Sequence, residues 1–134
     1  ICKDVILVTG EEDESGILDA KETQTIKIGE FNVGMIHGHQ VVPWGDPERL
    51  ASFARELSVD VLITGHTHVA SVAEYEGRLF LNPGSATGAF SPLAPESTPS
   101  FMVLDVSGDQ MTIYLYKLTE SQGVEVSHTV YNLH

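Results

Sequence analysis

Asp60-Val61-Leu62-Ile63-Thr64-Gly65-His66-Thr67-His68 (DVLITGHTH) decides how this chain is read. Asp60 to Thr64 is short, apolar and rich in β-branched residues, so it reads as a buried strand. Gly65 stops it, and two histidines follow at H-x-H spacing. Working outward, Phe31 to Ile36 reads as another strand and leads into Ile36-His37-Gly38-His39, a second H-x-H pair. On the far side, the strand Arg78 to Leu81 leads into Asn82-Pro83-Gly84-Ser85. The ends of strands are where open α/β sheets place their sites. Imidazole is a good ligand for zinc, manganese or iron, and glycine lets the backbone come close to an ion. One H-x-H pair alone reads as hydrogen-bonded loop histidines. Two pairs, both at strand ends and both beside glycine, favour a metal-type site. Asn82 to Ser85 alone is a plain turn, but beside the two histidine loops it becomes a third wall of one cleft. His128 and His134 are isolated and read as ordinary polar positions.

The rest of the chain supplies the frame. Asp4 to Thr9 (DVILVT) is expected to be a buried strand, and Glu11 to Ala20 an acidic loop. Thr23 to Ile28 and Phe31 to Ile36 form a hairpin around Gly29-Glu30. Asp46-Pro47-Glu48 opens a helix: a capping carboxylate, a proline suited to the first turn, and an acid matching the dipole. Leu50, Phe53, Ala54 and Leu57 give that helix an apolar stripe. Val69 to Tyr75 and Arg78 to Leu81 flank Glu76-Gly77. Gly84 to Pro99 reads as a long loop. Phe101 to Val106, Met111 to Leu118 and Val124 to Tyr131 are three strands, turning at Ser107-Gly108-Asp109 and Ser121-Gln122-Gly123. The pattern predicts a covered sheet and a second, antiparallel one. No repeat or linker divides residues 1–134, so they read as one domain.

Lys and Arg number 7 against 19 Asp and Glu, a net charge of -12. That sign opposes phosphate backbones and anionic lipid, which argues against nucleic-acid or direct membrane partners. The one cysteine, Cys2, has no intrachain disulfide partner and suits a reducing compartment. No apolar run reaches the roughly 20 residues needed to span a bilayer, and the first residues lack a signal-peptide pattern. Recruitment to a membrane is therefore expected to run through another protein.

The strings IHGHQVVPWGD (Ile36 to Asp46), DVLITGHTHVA (Asp60 to Ala70), LNPGSATGAF (Leu81 to Phe90) and PSFMVLDV (Pro99 to Val106), with the aromatic strand of Tyr114 and Tyr116, resemble the calcineurin-like metallophosphoesterase superfamily. More narrowly they resemble its branch that forms the small subunit of the retromer sorting complex. The resemblance implies an α/β fold: a metallophosphoesterase-like β-sandwich of two sheets with flanking helices and divalent metals at the strand ends. It implies His37, His66 and His68 as metal-site positions, with His39 nearby. In active members two bridging metals clamp a phosphate and activate water.

This sequence departs from that pattern twice. Active members carry Gly-Asn-His-Asp where this chain has Gly10-Glu11-Glu12-Asp13. The Asn ligand becomes Glu11, read either as a residual metal position or as part of a solvated acidic loop. The catalytic His becomes Glu12, whose carboxylate repels a phosphate where a proton donor is needed. The family also begins with an Asp-x-His strand and a Gly-Asp or Gly-Asn strand, and this chain starts at what should be the third strand. It is therefore expected to be the C-terminal portion of the domain, with the N-terminal strands missing.

The resemblance implies no catalytic residue, a weak or vestigial zinc or manganese site, and a scaffold role in endosome-to-Golgi sorting. Val41, Val42 and Trp44, apolar residues beside a histidine loop, are expected to face the large helical solenoid subunit of retromer. Val103, Tyr114 and Tyr116 are expected to receive short hydrophobic loops of regulatory proteins, or else to be ordinary cross-strand packing. The location implied is cytoplasmic, peripheral on endosomal membranes. The alternative is a divalent-metal-dependent phosphodiesterase or phosphatase, favoured by the histidine loops and opposed by Glu12.

Overall fold

Side-chain alternation in three short strands organises the whole molecule. In the computed structural model, which describes residues 4–10, 21–89, 98–119 and 123–133, these are β2 (Phe31–Ile36), β3 (Val61–Ile63) and β5 (Arg78–Asn82). They run parallel, Val33 opposite Val61 and Val61 opposite Leu79. Phe31, Val33, Val61, Leu79 and Leu81 point to one side of the sheet and are buried there with Met111, Ile113 and Tyr131. Ile36, Leu62 and Phe80 point to the other side and are buried with Val41, Ala51, Ala54 and Val59. Both faces are apolar, as parallel strands require when each face is covered.

Two antiparallel strands complete this sheet. β1 (Thr23–Ile28) pairs with β2, and β4 (Ser71–Tyr75) pairs with β5, giving the order β1-β2-β3-β5-β4. A second sheet, β6 (Ser100–Ser107), β7 (Gln110–Thr119) and β8 (Gly123–Asn132), is an antiparallel meander. It lays Met111, Ile113 and Tyr131 on the first sheet to make a sandwich core. The expected α/β sandwich of two sheets is therefore the fold. Among the described residues, one helix, α1 (Pro47–Leu57), covers the opposite face.

α1 begins as its sequence dictates. The Asp46 carboxylate accepts a hydrogen bond from the Arg49 amide at 3.0 Å, Pro47 occupies the first turn, and Glu48 faces the positive end of the dipole. Ser58 ends it in a left-handed conformation, φ 56°, its amide donating to the Ala54 and Arg55 carbonyls. Leu50, Phe53, Ala54 and Leu57 face the sheet as the stripe predicts, and Ala51 joins them fully buried.

One expected strand does not form. Asp4 to Leu7 is exposed, Val5 by 61%, and Val8 makes only an isolated bridge to Lys21. A buried strand needs continuous partners on its edges and cover on its faces; among the described residues the only strand pairing of this segment is that bridge, with the Thr9 amide donating to the Lys21 carbonyl at 2.8 Å. The Glu11 to Ala20 loop, most of the 84–99 loop's second half (residues 90–97) and the turn at Ser121-Gln122 lie outside the described residues.

Tyr131 clips the two layers together. Its ring lies 6.0 Å from that of Phe31, and its hydroxyl donates to the Gly77 carbonyl at 2.8 Å. Burial, then Glu74 and Asp60, push this phenol above its ordinary range, against Arg78, which lowers it. A folded pKa raised above the unfolded value gives stability that is complete below about pH 10 and is lost as pH rises through the folded value. Thermal unfolding followed from pH 8 to 11 should therefore show an alkaline loss that Tyr131→Phe reduces. An unchanged pH profile in that variant would remove Tyr131 as its source.

Candidate histidine cleft

The parallel register brings the two histidine loops side by side. Each follows its strand directly, so pairing Met35 with Ile63 sets their first residues next to each other. The Gly65 amide then donates to the His37 carbonyl at 2.7 Å. The approach is close enough to exclude a side chain at Gly38. A Cβ there would lie 2.6 Å from the Gly65 oxygen, and its φ is +115°. This is the one position in the loop where glycine is sterically required.

Three imidazoles meet at this junction. The rings of His37 and His39 are 5.2 Å apart, His37 and His66 5.2 Å, and His39 and His66 6.3 Å. The Nδ1 atoms of His37 and His39 are 3.1 Å apart, so one ring donates and the other accepts. Trp44 stands edge-on to His66 at 4.2 Å. His66 and His68 both hold left-handed backbone, φ 72° and 62°. Such conformations cost about 1–3 kcal/mol each in non-glycine residues and cluster at functional sites.

The third strand end locks the loop from below, as the third-wall reading predicts. Asn82, buried at the end of β5, donates from Nδ2 to Thr67 Oγ1 at 2.9 Å and to the Gly65 carbonyl at 3.3 Å. Its Oδ1 accepts from the Gly84 amide at 2.9 Å. One amide side chain thus ties the Gly65 to His68 loop to the Pro83-Gly84 turn. The sequence places Asn82 in the third wall but does not show its bonds to Thr67 and Gly65. The signal for more was its position at the end of an apolar run, where an amide can reach two loops at once.

His68 goes elsewhere. Its Nδ1 lies 3.0 Å from the Ala89 carbonyl. As the donor, Nδ1 fixes the tautomer and leaves Nε2 as the lone-pair nitrogen, the usual arrangement of a metal-binding histidine. The imidazoles are therefore donors of the right kind for zinc. They do not make a closed set on their own. Among the described residues no group of three or more His, Cys, Asp or Glu side chains is arranged to hold an ion. Glu11, the fourth predicted position, and Glu12 lie outside the described residues.

The residues expected at partner surfaces separate. Val42 and Trp44 are exposed on the rim of the cleft, by 64% and 46%. Val41 is 1% exposed and sits in the helix-side core, so its side chain supports the rim without presenting to a partner. On the outer face of the second sheet, Val103 is exposed opposite Tyr114, and Phe101 stacks on Tyr116 at 4.8 Å with the rings nearly parallel. Tyr114 also lies 6.2 Å from His128. The two tyrosines are thus in cross-strand pairs and on an accessible face together. Phe101, two residues before Val103, belongs to the same row, and strand alternation alone would have shown it.

Residues 1–109 match the calcineurin-like phosphoesterase superfamily domain. The chain is 39% identical over 126 residues to vacuolar protein sorting-associated protein 29 of Schizosaccharomyces pombe, covering 91% of this chain and 66% of that protein. It superposes on wild-type Vps29 of Entamoeba histolytica complexed with zinc with a TM-score of 0.89 at 49% identity, covering 96% of this chain and 69% of that one. For Vps29 of Cryptosporidium parvum the TM-score is 0.91 at 40% identity, with 97% and 70% covered. The chain therefore spans about two thirds of the length of these relatives.

Replacing Gly38 tests the junction. Gly38→Ala should cost about 1–3 kcal/mol in urea unfolding, from strained φ and from the contact with the Gly65 carbonyl. Gly45→Ala, at φ +76° with nothing within 4 Å, should cost about 1 kcal/mol. Histidine ring resonances of His37, His39 and His66 should move only in the first variant. Equal effects from both substitutions would show that the two loops do not depend on each other's close approach.

Proposed function

Because this chain belongs to the calcineurin-like phosphoesterase superfamily, and within it to the vacuolar protein sorting-associated protein 29 family, we propose that it is a non-catalytic scaffold subunit of retromer in endosome-to-Golgi sorting. The observation that carries the reading is the rim of the histidine cleft. Val42 and Trp44 expose apolar surface beside a polar floor, and Trp44 is held edge-on to His66. An apolar patch rimmed by polar groups is the form of a partner surface, and tryptophan is a frequent anchor within one. The occupant is the large helical solenoid subunit. In this reading the histidine loops have kept their shape because they hold that rim in place, and a vestigial zinc or manganese site survives within them.

The absence of catalysis rests on Glu12. In the sequence it stands where the active members of the family carry a histidine, and a carboxylate in that role would oppose an incoming phosphate. A second apolar face, with Val103, Tyr114 and Tyr116 joined by Phe101, takes short hydrophobic loops of regulatory proteins. Among the described residues no helix is long and apolar enough to cross a membrane. The protein reaches endosomal membranes from the cytoplasm through its partners, in keeping with its acidic charge.

Capture of the solenoid subunit by the full-length protein tests the rim. Val42→Asp and Trp44→Ala should each weaken it by about 2 kcal/mol or more. Val103→Asp, on the other sheet, should leave it unchanged. Retention of full binding by the first two variants would move the interface elsewhere. In parallel, a generic phosphodiester with added manganese should not be turned over. Turnover abolished by His66→Ala would overturn the non-catalytic reading and favour the hydrolase.

A further inference from the structure

A cleft of about 440 Å³, lined at one part by Gly38, Gly65, Thr67 and Asn82 of the histidine loops and their lock, runs between α1 with its entry loop and the edge strand β4. The chain creates it by simple means. α1 packs on β3 and β5. Along β4, Val72 turns into the sandwich core, so alternation sends Ser71, Ala73 and Tyr75 to the helix side. Ser71 and Ala73 are too short to fill the space left beside the helix. The walls are Trp44, Pro47, Leu50, Val69, Tyr75 and Phe80, nearly all apolar. The volume falls in the range of formed ligand pockets and would take one or two apolar side chains.

The rim at the Tyr75 end is charged. Asp46, Glu48, Arg49, Arg55 and Glu76 line the adjoining surface. Arg55 is bound to Glu76 at 2.9 Å, and Asp46 accepts from the Arg49 amide. Glu48 is the carboxylate with neither engagement. Partial burial, then Glu48, Glu76 and Asp46, hold the Tyr75 phenol above its ordinary range, with Arg55 opposing them. Three carboxylates thus stand against two guanidiniums at this end, on a chain whose net charge is -12.

We propose that this cleft docks a short segment of a partner protein that carries an apolar side chain flanked by a lysine or arginine. The apolar side chain enters between Trp44, Leu50 and Tyr75, and the basic group meets Glu48 at the rim. The charge of the rim selects against an acidic segment. The cleft shares Trp44 with the edge assigned to the solenoid subunit, and Gly38, Gly65, Thr67 and Asn82 with the histidine loops, but the proposal goes beyond that reading and does not depend on which protein supplies the segment.

The test is a titration of ¹⁵N-labelled full-length protein with two end-capped tetrapeptides, leucine-lysine-phenylalanine-lysine and leucine-glutamate-phenylalanine-glutamate. The basic peptide should shift the resonances of Ala73, Tyr75 and the Trp44 indole, and the acidic one should bind about tenfold more weakly. Ala73→Phe, which fills the cleft with a residue that suits a strand, should weaken the basic peptide about tenfold. Glu48→Lys should shrink or reverse the preference between the peptides. Equal affinities, indifference to Ala73→Phe, no binding, or shifts confined to Phe101 and Tyr116 would overturn the proposal. Capture of the solenoid subunit is read separately through Val42→Asp, so failure here leaves that edge standing, and failure there leaves the cleft standing.

Discussion

The hydrogen bond from the Gly65 amide to the His37 carbonyl is the contact on which the rest depends. It continues the parallel pairing of β2 and β3 past the last strand residues and into the loops. Without it, each histidine pair would be a separate surface loop. With it, His37, His39 and His66 share one junction, Trp44 gains an aromatic edge to rest on, and Asn82 has a fixed loop to hold. Its cost is steric: only a residue without a side chain can stand at Gly38.

The strands were legible because each carries its own pattern. β2, β3 and β5 have apolar residues on both sides of the pleat, and β6 alternates between exposed and more buried positions. The helix was legible from Asp46-Pro47-Glu48 and its stripe. Asp4 to Thr9 has the composition of a buried strand, but composition cannot supply a neighbour, and among the described residues the only strand pairing it gains is the isolated bridge to Lys21. Val41 misled for a related reason. A run of apolar residues after a histidine loop does not reveal which member turns inward, and here the core took Val41 while Val42 and Trp44 stayed out.

The site was legible in its parts and not in its arrangement. H-x-H spacing at two strand ends announced convergence, and three of the four imidazoles do converge. The fourth, His68, is turned toward Ala89, because a left-handed residue at His66 and another at His68 redirect the chain in ways that residue spacing does not encode. The cleft beside β4 was invisible in the sequence. It arises where small side chains on an edge strand meet the end of a helix's reach, a property of layers and not of any motif.

The outer face of the second sheet has a consequence for how the molecule behaves among copies of itself. Phe101, Val103, Leu118, Val124, Val126 and Val130 are all exposed there, enough oil on one side to make two molecules stick. The surplus of carboxylates sets every copy against every other, and that repulsion reaches only about 10 Å in 0.1 M salt and about 3 Å at 1 M. Ionic strength is thus the variable that would set how closely two such valine-rich faces approach.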